Sequence, residues 1–150
     1  MPDLPQTTCE LIDQAADRFG ERPAIVDGEL RMSYADVAAE ARRLRRGLVA
    51  SGVRAADRVA ISSPNTAHWV TAALAIHSAG AALVPLNARF TGREAFDLLA
   101  RTGASMLLLP DRFLDTDYLE TLRSAAPPMN RDRPVPWRGC PTSPPLCACR

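Results

Sequence analysis

The residues with chemical potential in this chain fall into a few groups. Ser62-Ser63-Pro64-Asn65-Thr66 forms a polar turn between two apolar runs. His68 and His77 lie nine residues apart. Cys140, Cys147 and Cys149 share the C-terminal segment, and Asp13 and Asp17 share one helical face. Arg42, Arg43, Arg45 and Arg46 cluster within five positions. All 18 basic residues are Arg, so chemistry that needs a lysine on a phosphate, in a Schiff base or as a general acid has no residue to use.

Each group has a chemical and a structural reading. The 62–66 turn falls where open α/β sheets bind ligands, between the carboxyl end of a strand and a helix N-terminus. No glycines open it for phosphate, and neither G-x-G-x-x-G nor G-x-x-x-x-G-K-[ST] occurs, so an ordinary turn capped by Asn65 or Thr66 is favoured. At about 100° per residue, His68 and His77 leave one helix from nearly opposite faces and cannot share a metal. Cys140-x₆-Cys147-x-Cys149 lacks the C-x₂₋₄-C pairs and the fourth ligand of a zinc site. Asp13 and Asp17 have no partner for acid–base work. No catalytic or metal-ligating residue is assigned, and cofactor-binding positions stay unassigned.

The elements that position these groups follow from periodicity. Thr7-x-x-Glu10 has capping-box spacing and opens a helix with a Leu11, Ala15, Phe19 stripe that stops at Gly20. Ala24–Val26 and Leu30–Met32 flank Asp27-Gly28-Glu29, and two short runs around an Asp-Gly turn read as a β-hairpin. Ser33, with Asp36 as partner, caps a helix whose buried face is Tyr34, Val37, Ala41, Leu44 and Leu48. Its last turns carry the Arg cluster, read as a solvated face that complements the helix dipole. Val59–Ser62, Ala82–Leu86 and Met106–Leu109 are strands. They alternate with a helix from residue 66 to about 79 and another that Thr91 caps and Gly103 ends. On the first of these helices His68, Thr71, Ala75 and Ser78 form a small, weakly polar stripe. A short amphipathic segment with Leu114, Tyr118, Leu119 and Leu122 follows. Strand–helix alternation with short loops implies an α/β fold with an incomplete, doubly wound parallel sheet behind an N-terminal helix and hairpin.

Composition sets the limits. One domain fits in 150 residues. A net charge of +1 argues against nucleic acid as partner. Val59 to Ala88 contains no Asp, Glu, Lys or Arg, a length that raises a transmembrane helix. Pro64, Gly80 and Pro85 break it into strand, helix and strand instead. The N-terminus has neither a basic region nor an apolar stretch of a secretory signal, and Cys9 is alone in the patterned part, so a cytoplasmic protein is expected. Residues 127–150 hold seven of the 13 Pro and three of the four Cys, have no apolar period, and read as disordered.

One ordered series is specific. Asp57-Arg58-Val59-Ala60-Ile61-Ser62-Ser63-Pro64-Asn65-Thr66-Ala67-His68-Trp69 is followed by Ala75-Ile76-His77-Ser78-Ala79-Gly80-Ala81 and then Val84-Pro85-Leu86-Asn87. Together with Ala24–Asp27 and Met32–Val37, it resembles the N-terminal region of adenylate-forming (AMP-binding) enzymes of the acyl-CoA synthetase branch, closest to bacterial ligases of fatty-acid and steroid-ring catabolism. The resemblance covers about residues 8–125. It implies joining a carboxylate to the α-phosphate of ATP, with loss of pyrophosphate, then attack by the thiol of coenzyme A. It also implies a Ser/Thr/Gly-rich phosphate loop ending in P-K-G, Mg²⁺, and a lysine on a mobile C-terminal domain. None of these is in this sequence. ATP, Mg²⁺ and coenzyme A are therefore implied for the longer family members and not for these residues, and no catalytic residue carries over. Asn87, Ala88 and Arg89 lie on the coenzyme A side in some relatives and are too variable to count as a site.

The expectation is a truncated N-terminal part of a synthetase over 1–126, inactive alone, with a 127–150 tail that a frameshift or mispredicted gene end substitutes near Ala126–Pro128. Such a piece should expose strand edges and apolar surface, and aggregate or need a partner. Two other functions compete. One is a non-enzymatic module that binds or complements the remainder of a synthetase. The other is a small nucleotide-binding domain built on Ser63–Thr66. The acyl group and the oligomeric state are not specified.

Overall fold

A computed structural model of the chain describes residues 4–110, 120–121, 124 and 147–149. The order of elements is α1 (Thr8–Phe19), β1 (Pro23–Asp27), β2 (Leu30–Ser33), α2 (Tyr34–Ala50), β3 (Arg58–Ser62), α3 (Ala67–Ser78), β4 (Ala82–Leu86), α4 (Gly92–Thr102), β5 (Met106–Leu109) and β6 (Cys147–Cys149). These divide into two units. The first contains Met1–Ala56 and Asn65–Ala82, the second Asp57–Pro64 and Leu83–Arg150.

The first unit packs α1, the β1–β2 hairpin, α2 and α3. Thr7 caps α1 by accepting from the Glu10 amide at 3.2 Å. The Glu10 carboxylate reaches back to the Gln6 amide at 2.7 Å rather than to Thr7, so the expected box is shifted by one residue. Of the α1 stripe, Phe19 stacks obliquely on Tyr34 with centroids 5.0 Å apart, whereas Leu11 is exposed. The hairpin pairs Asp27 with Leu30, so Asp27 joins the strand and Gly28-Glu29 of the expected Asp27-Gly28-Glu29 connection remain as a two-residue loop. Gly28 has φ +57 and Glu29 does not have a positive φ, the pattern of a type II′ turn with glycine first.

Helix α2 starts in a complete capping box. Ser33 Oγ accepts from the Asp36 amide at 3.1 Å, and Asp36 Oδ2 accepts from the Ser33 amide at 2.9 Å. Its buried residues are Val37, Ala38, Ala41 and Leu48. The helix continues to Ala50, which leaves no basic residue in its last turn. The Arg cluster therefore does not meet the helix dipole as the sequence suggested, since the dipole acts mainly within the terminal turn. On α3, Thr71 and Ala75 of the small, weakly polar stripe are fully buried, as are Ala67 and Ile76. Small side chains let backbones approach closely, and the Thr71 hydroxyl stays satisfied by donating to the His68 carbonyl at 3.1 Å.

The second unit is built on the sheet β4-β3-β5-β6. Strands β4, β3 and β5 are parallel, as strand–helix alternation requires. Val59, Ala60 and Ile61 of the central strand β3 are all fully buried, the burial expected of a parallel strand covered on both faces. Helix α4 starts in a reciprocal box between Thr91 and Glu94 and ends at Gly103 in the left-handed conformation. It lays Ala95 and Leu99 against Ala60, Leu86, Leu107 and Leu109. Pro85 is tolerated because β4 is the outer strand of this sheet.

Almost all of the tail, 127–150, lies outside the described residues. Cys147–Cys149 pairs antiparallel with β5, Leu107 facing Cys149 and Leu109 facing Cys147. These three residues contain no proline, so their amides can join a ladder that the prolines before them cannot. Residues 127–146 and the apolar residues Leu114, Tyr118, Leu119 and Leu122 lie outside the described residues. Glu120, Thr121 and Ser124 are helical. Among the described residues no helix is long and apolar enough to cross a membrane.

Candidate functional site

The 62–66 turn is the strongest position that sequence offers for chemistry. On the strand side, Ser62 and Ser63 are buried, and Ser63 Oγ donates to the Pro64 carbonyl at 3.1 Å. On the helix side, Thr66, not Asn65, is the cap and accepts from the Trp69 amide at 3.3 Å. The Ala67 amide donates at 2.8 Å to Oδ2 of Asp27, at the end of β1. The amides at a helix N-terminus attract negative charge. Here a carboxylate from the chain itself already takes that place. Two amides of this terminus, those of Ala67 and Trp69, are thus engaged by side chains of the chain itself.

Asp27 is the residue that sequence reasoning missed. Its signal was present, because an Asp beside Gly28 was noted, but only as a turn former. That it reaches a helix 40 residues later depends on how the hairpin packs.

The remaining candidates do not converge. His68 is half-buried and His77 exposed, both on α3. Glu40 of α2 is held below the usual carboxylate range, first by its hydrogen bond to Arg43, with smaller charge contributions from Arg43 and His68 outweighing part of its desolvation. Arg43 binds both Glu40 oxygens at 2.7 Å and is itself raised by that bond. Arg42 pairs with Asp13 at 2.7 Å, both side chains being more than half exposed. Two members of the Arg cluster are thus engaged by acids of their own unit. Asn87 Oδ1 accepts from the Arg89 amide at 2.9 Å, so this Asn shapes the turn that leads into α4. Cys9 is a half-buried free thiol. Cys140 lies outside the described residues, and among those described no group of three or more His, Cys, Asp or Glu is placed to hold a metal ion.

Parallel strands that alternate with helices define an α/β fold. The chain belongs to the AMP-binding enzyme family, whose model matches residues 12–137. It is 44% identical over 123 residues to a 3-(7a-methyl-1,5-dioxo-octahydro-1H-inden-4-yl)propanoyl:CoA ligase of Rhodococcus jostii (strain RHA1), covering 82% of this chain and 24% of the ligase. The ligase of the same name from Mycobacterium tuberculosis is 41% identical over 126 residues, 84% of this chain and 25% of that protein. Among solved structures, a fatty acyl CoA synthetase of Mycobacterium tuberculosis superposes with a TM-score of 0.71 over 79% of this chain and 23% of that one. At 24% identity that likeness concerns the fold alone. The chain spans about a quarter of the length of the curated relatives it matches.

Proposed function

We propose that these residues form the N-terminal α/β part of an acid–thiol ligase that activates a polycyclic, steroid-derived carboxylic acid through an acyl-adenylate, and that the 150-residue chain alone is inactive. The 44% identity to the Rhodococcus jostii ligase carries the choice of substrate class. The inactive reading rests on charge. Adenylation builds negative charge on a phosphate, and groups fixed in advance around it supply much of the rate. This chain has no lysine to place there, and the N-terminus of α3 is taken by Asp27.

The test is ATP–pyrophosphate exchange by the purified chain with a panel of carboxylic acids. Exchange at the level of the enzyme-free blank is expected; saturable exchange with any acid would overturn the inactive reading. A second reading is that the chain acts as a binding module for a separately supplied remainder of a synthetase. Mixing it with residues from beyond the matched quarter of the Rhodococcus ligase should then restore acyl-CoA formation. No product from the mixture would remove this reading and leave the first untouched.

A further inference from the structure

Helices α1 and α2 lie antiparallel. Phe19, the last residue of α1, stacks on Tyr34, the first of α2, and Asp13 in the middle of α1 reaches Arg42 in the middle of α2. Each helix carries one sign of charge along this joint. On α1 the exposed acids Glu10, Asp13 and Asp17 recur at steps of three and four residues and so share a face. On α2 the exposed Arg42, Arg45, Arg46 and Val49 do the same. At about 1.5 Å of rise per residue, Glu10 lies level with the turn that carries Arg45 and Arg46. An acidic stripe therefore runs beside a basic one, with three charges in each. Asp13 and Arg42 form an ion pair; among the described residues Glu10, Asp17, Arg45 and Arg46 have no ion-pair partner.

We propose that these two stripes are the surface through which two copies of the chain associate, related by a two-fold axis along the seam between α1 and α2. Stripes of opposite sign side by side are complementary to themselves. A half-turn about the seam lays the acids of each copy on the arginines of the other, as an isologous contact requires. A purely acidic partner, nucleic acid included, would be attracted by Arg42, Arg45 and Arg46 but repelled by Glu10, Asp13 and Asp17 beside them. A matching partner must carry both signs in this order, and a second copy does. Val49, 51% exposed, lies within the basic stripe and adds apolar area to the contact. Because the contact is mostly charge on exposed helices, it is sensitive to salt.

The test is analytical ultracentrifugation of the full chain at rising concentration. A species of twice the chain mass is expected, with a dissociation constant about ten-fold larger in about 0.5 M than in about 0.05 M salt. Arg45→Glu with Arg46→Glu, and separately Glu10→Arg with Asp17→Arg, should each give a monomer, because like charges then face each other. Asp13 and Arg42 are left in place to keep the joint between the helices. Mixed in equal amounts, the two variants should associate again, since one now carries excess acid on both helices and the other excess arginine. A monomer at every concentration would overturn the proposal. So would association that ignores salt, persists in either variant alone or is not restored by mixing, because the copies would then meet through another face. The salt series needs no substitution, so it decides the matter even where a variant fails to fold.

Discussion

The Asp27 carboxylate accepts a 2.8 Å hydrogen bond from the backbone N–H of Ala67, 40 residues away in sequence. This bond ties the end of the β1–β2 hairpin to the start of α3, beside the hydroxyl cap from Thr66. Two acceptors from different parts of the chain thus serve one helix terminus. Asp27→Ala should cost about 1 kcal/mol, the usual worth of a helix cap. Asp27→Asn keeps an acceptor and should cost less. Urea unfolding of the three proteins side by side checks this order; equal stability of all three would show the contact to be energetically idle.

Acid should loosen the first turns of α2 and α4. Asp36 is held below the ordinary carboxylate range by hydrogen bonds from the Ser33 amide and hydroxyl, and Glu94 likewise by those of Thr91. A carboxylate whose folded pKa is depressed stabilises the fold above its unfolded pKa of about 4, and that stabilisation fades as pH falls through the lower folded value. Amide exchange in the first turns of α2 and α4 should accelerate over that window. Asp36→Asn and Glu94→Gln should flatten the response in their own helices only.

Ala56 and Gly80 form a pair with opposite expected responses. Ala56 has φ +68, a region that costs an L-residue about 1 kcal/mol, and its amide donates to the Gly80 carbonyl at 2.8 Å. Ala56→Gly should therefore stabilise by up to about 1 kcal/mol, less the added entropy of the unfolded chain. Gly80 has φ +73, and a Cβ there would come within 3.3 Å of the Ala55 Cβ. Gly80→Ala should destabilise by more than about 1 kcal/mol, since strain and contact add. Thermal unfolding midpoints moving in the same direction for both would contradict this geometry.

The visible ion pair matters less than a buried aliphatic. Arg42 and Asp13 sit 2.7 Å apart with both side chains more than half in solvent. Arg42→Ala should change stability by less than about 1 kcal/mol. Ile61, fully buried in the central strand β3, should cost about 2–5 kcal/mol when cut to Ala. Denaturant midpoints in low and high salt separate the two cases, since only the ion pair is screened.

Local chemistry was legible in the sequence where a few neighbouring residues decide the outcome. Ser33 with Asp36, Thr91 with Glu94, Gly103 after α4 and Pro110 after β5 mark element ends by satisfying or denying backbone groups within a turn. Strand–helix alternation and the ordered series from Asp57 to Asn87 were enough to name the family. The tertiary structure alone decided what lies between elements. It buried Thr71 and Ala75, whose small size suits a close-packed face as well as a weakly polar one. It left Leu11 in solvent although its spacing matched the α1 stripe. It paired Cys147–Cys149 with β5, and it sent Asp27 to the α3 N-terminus. Capping and periodicity act over three or four residues and are written in local order; burial, strand pairing and the choice of a distant acceptor depend on which surfaces meet, which no local window contains.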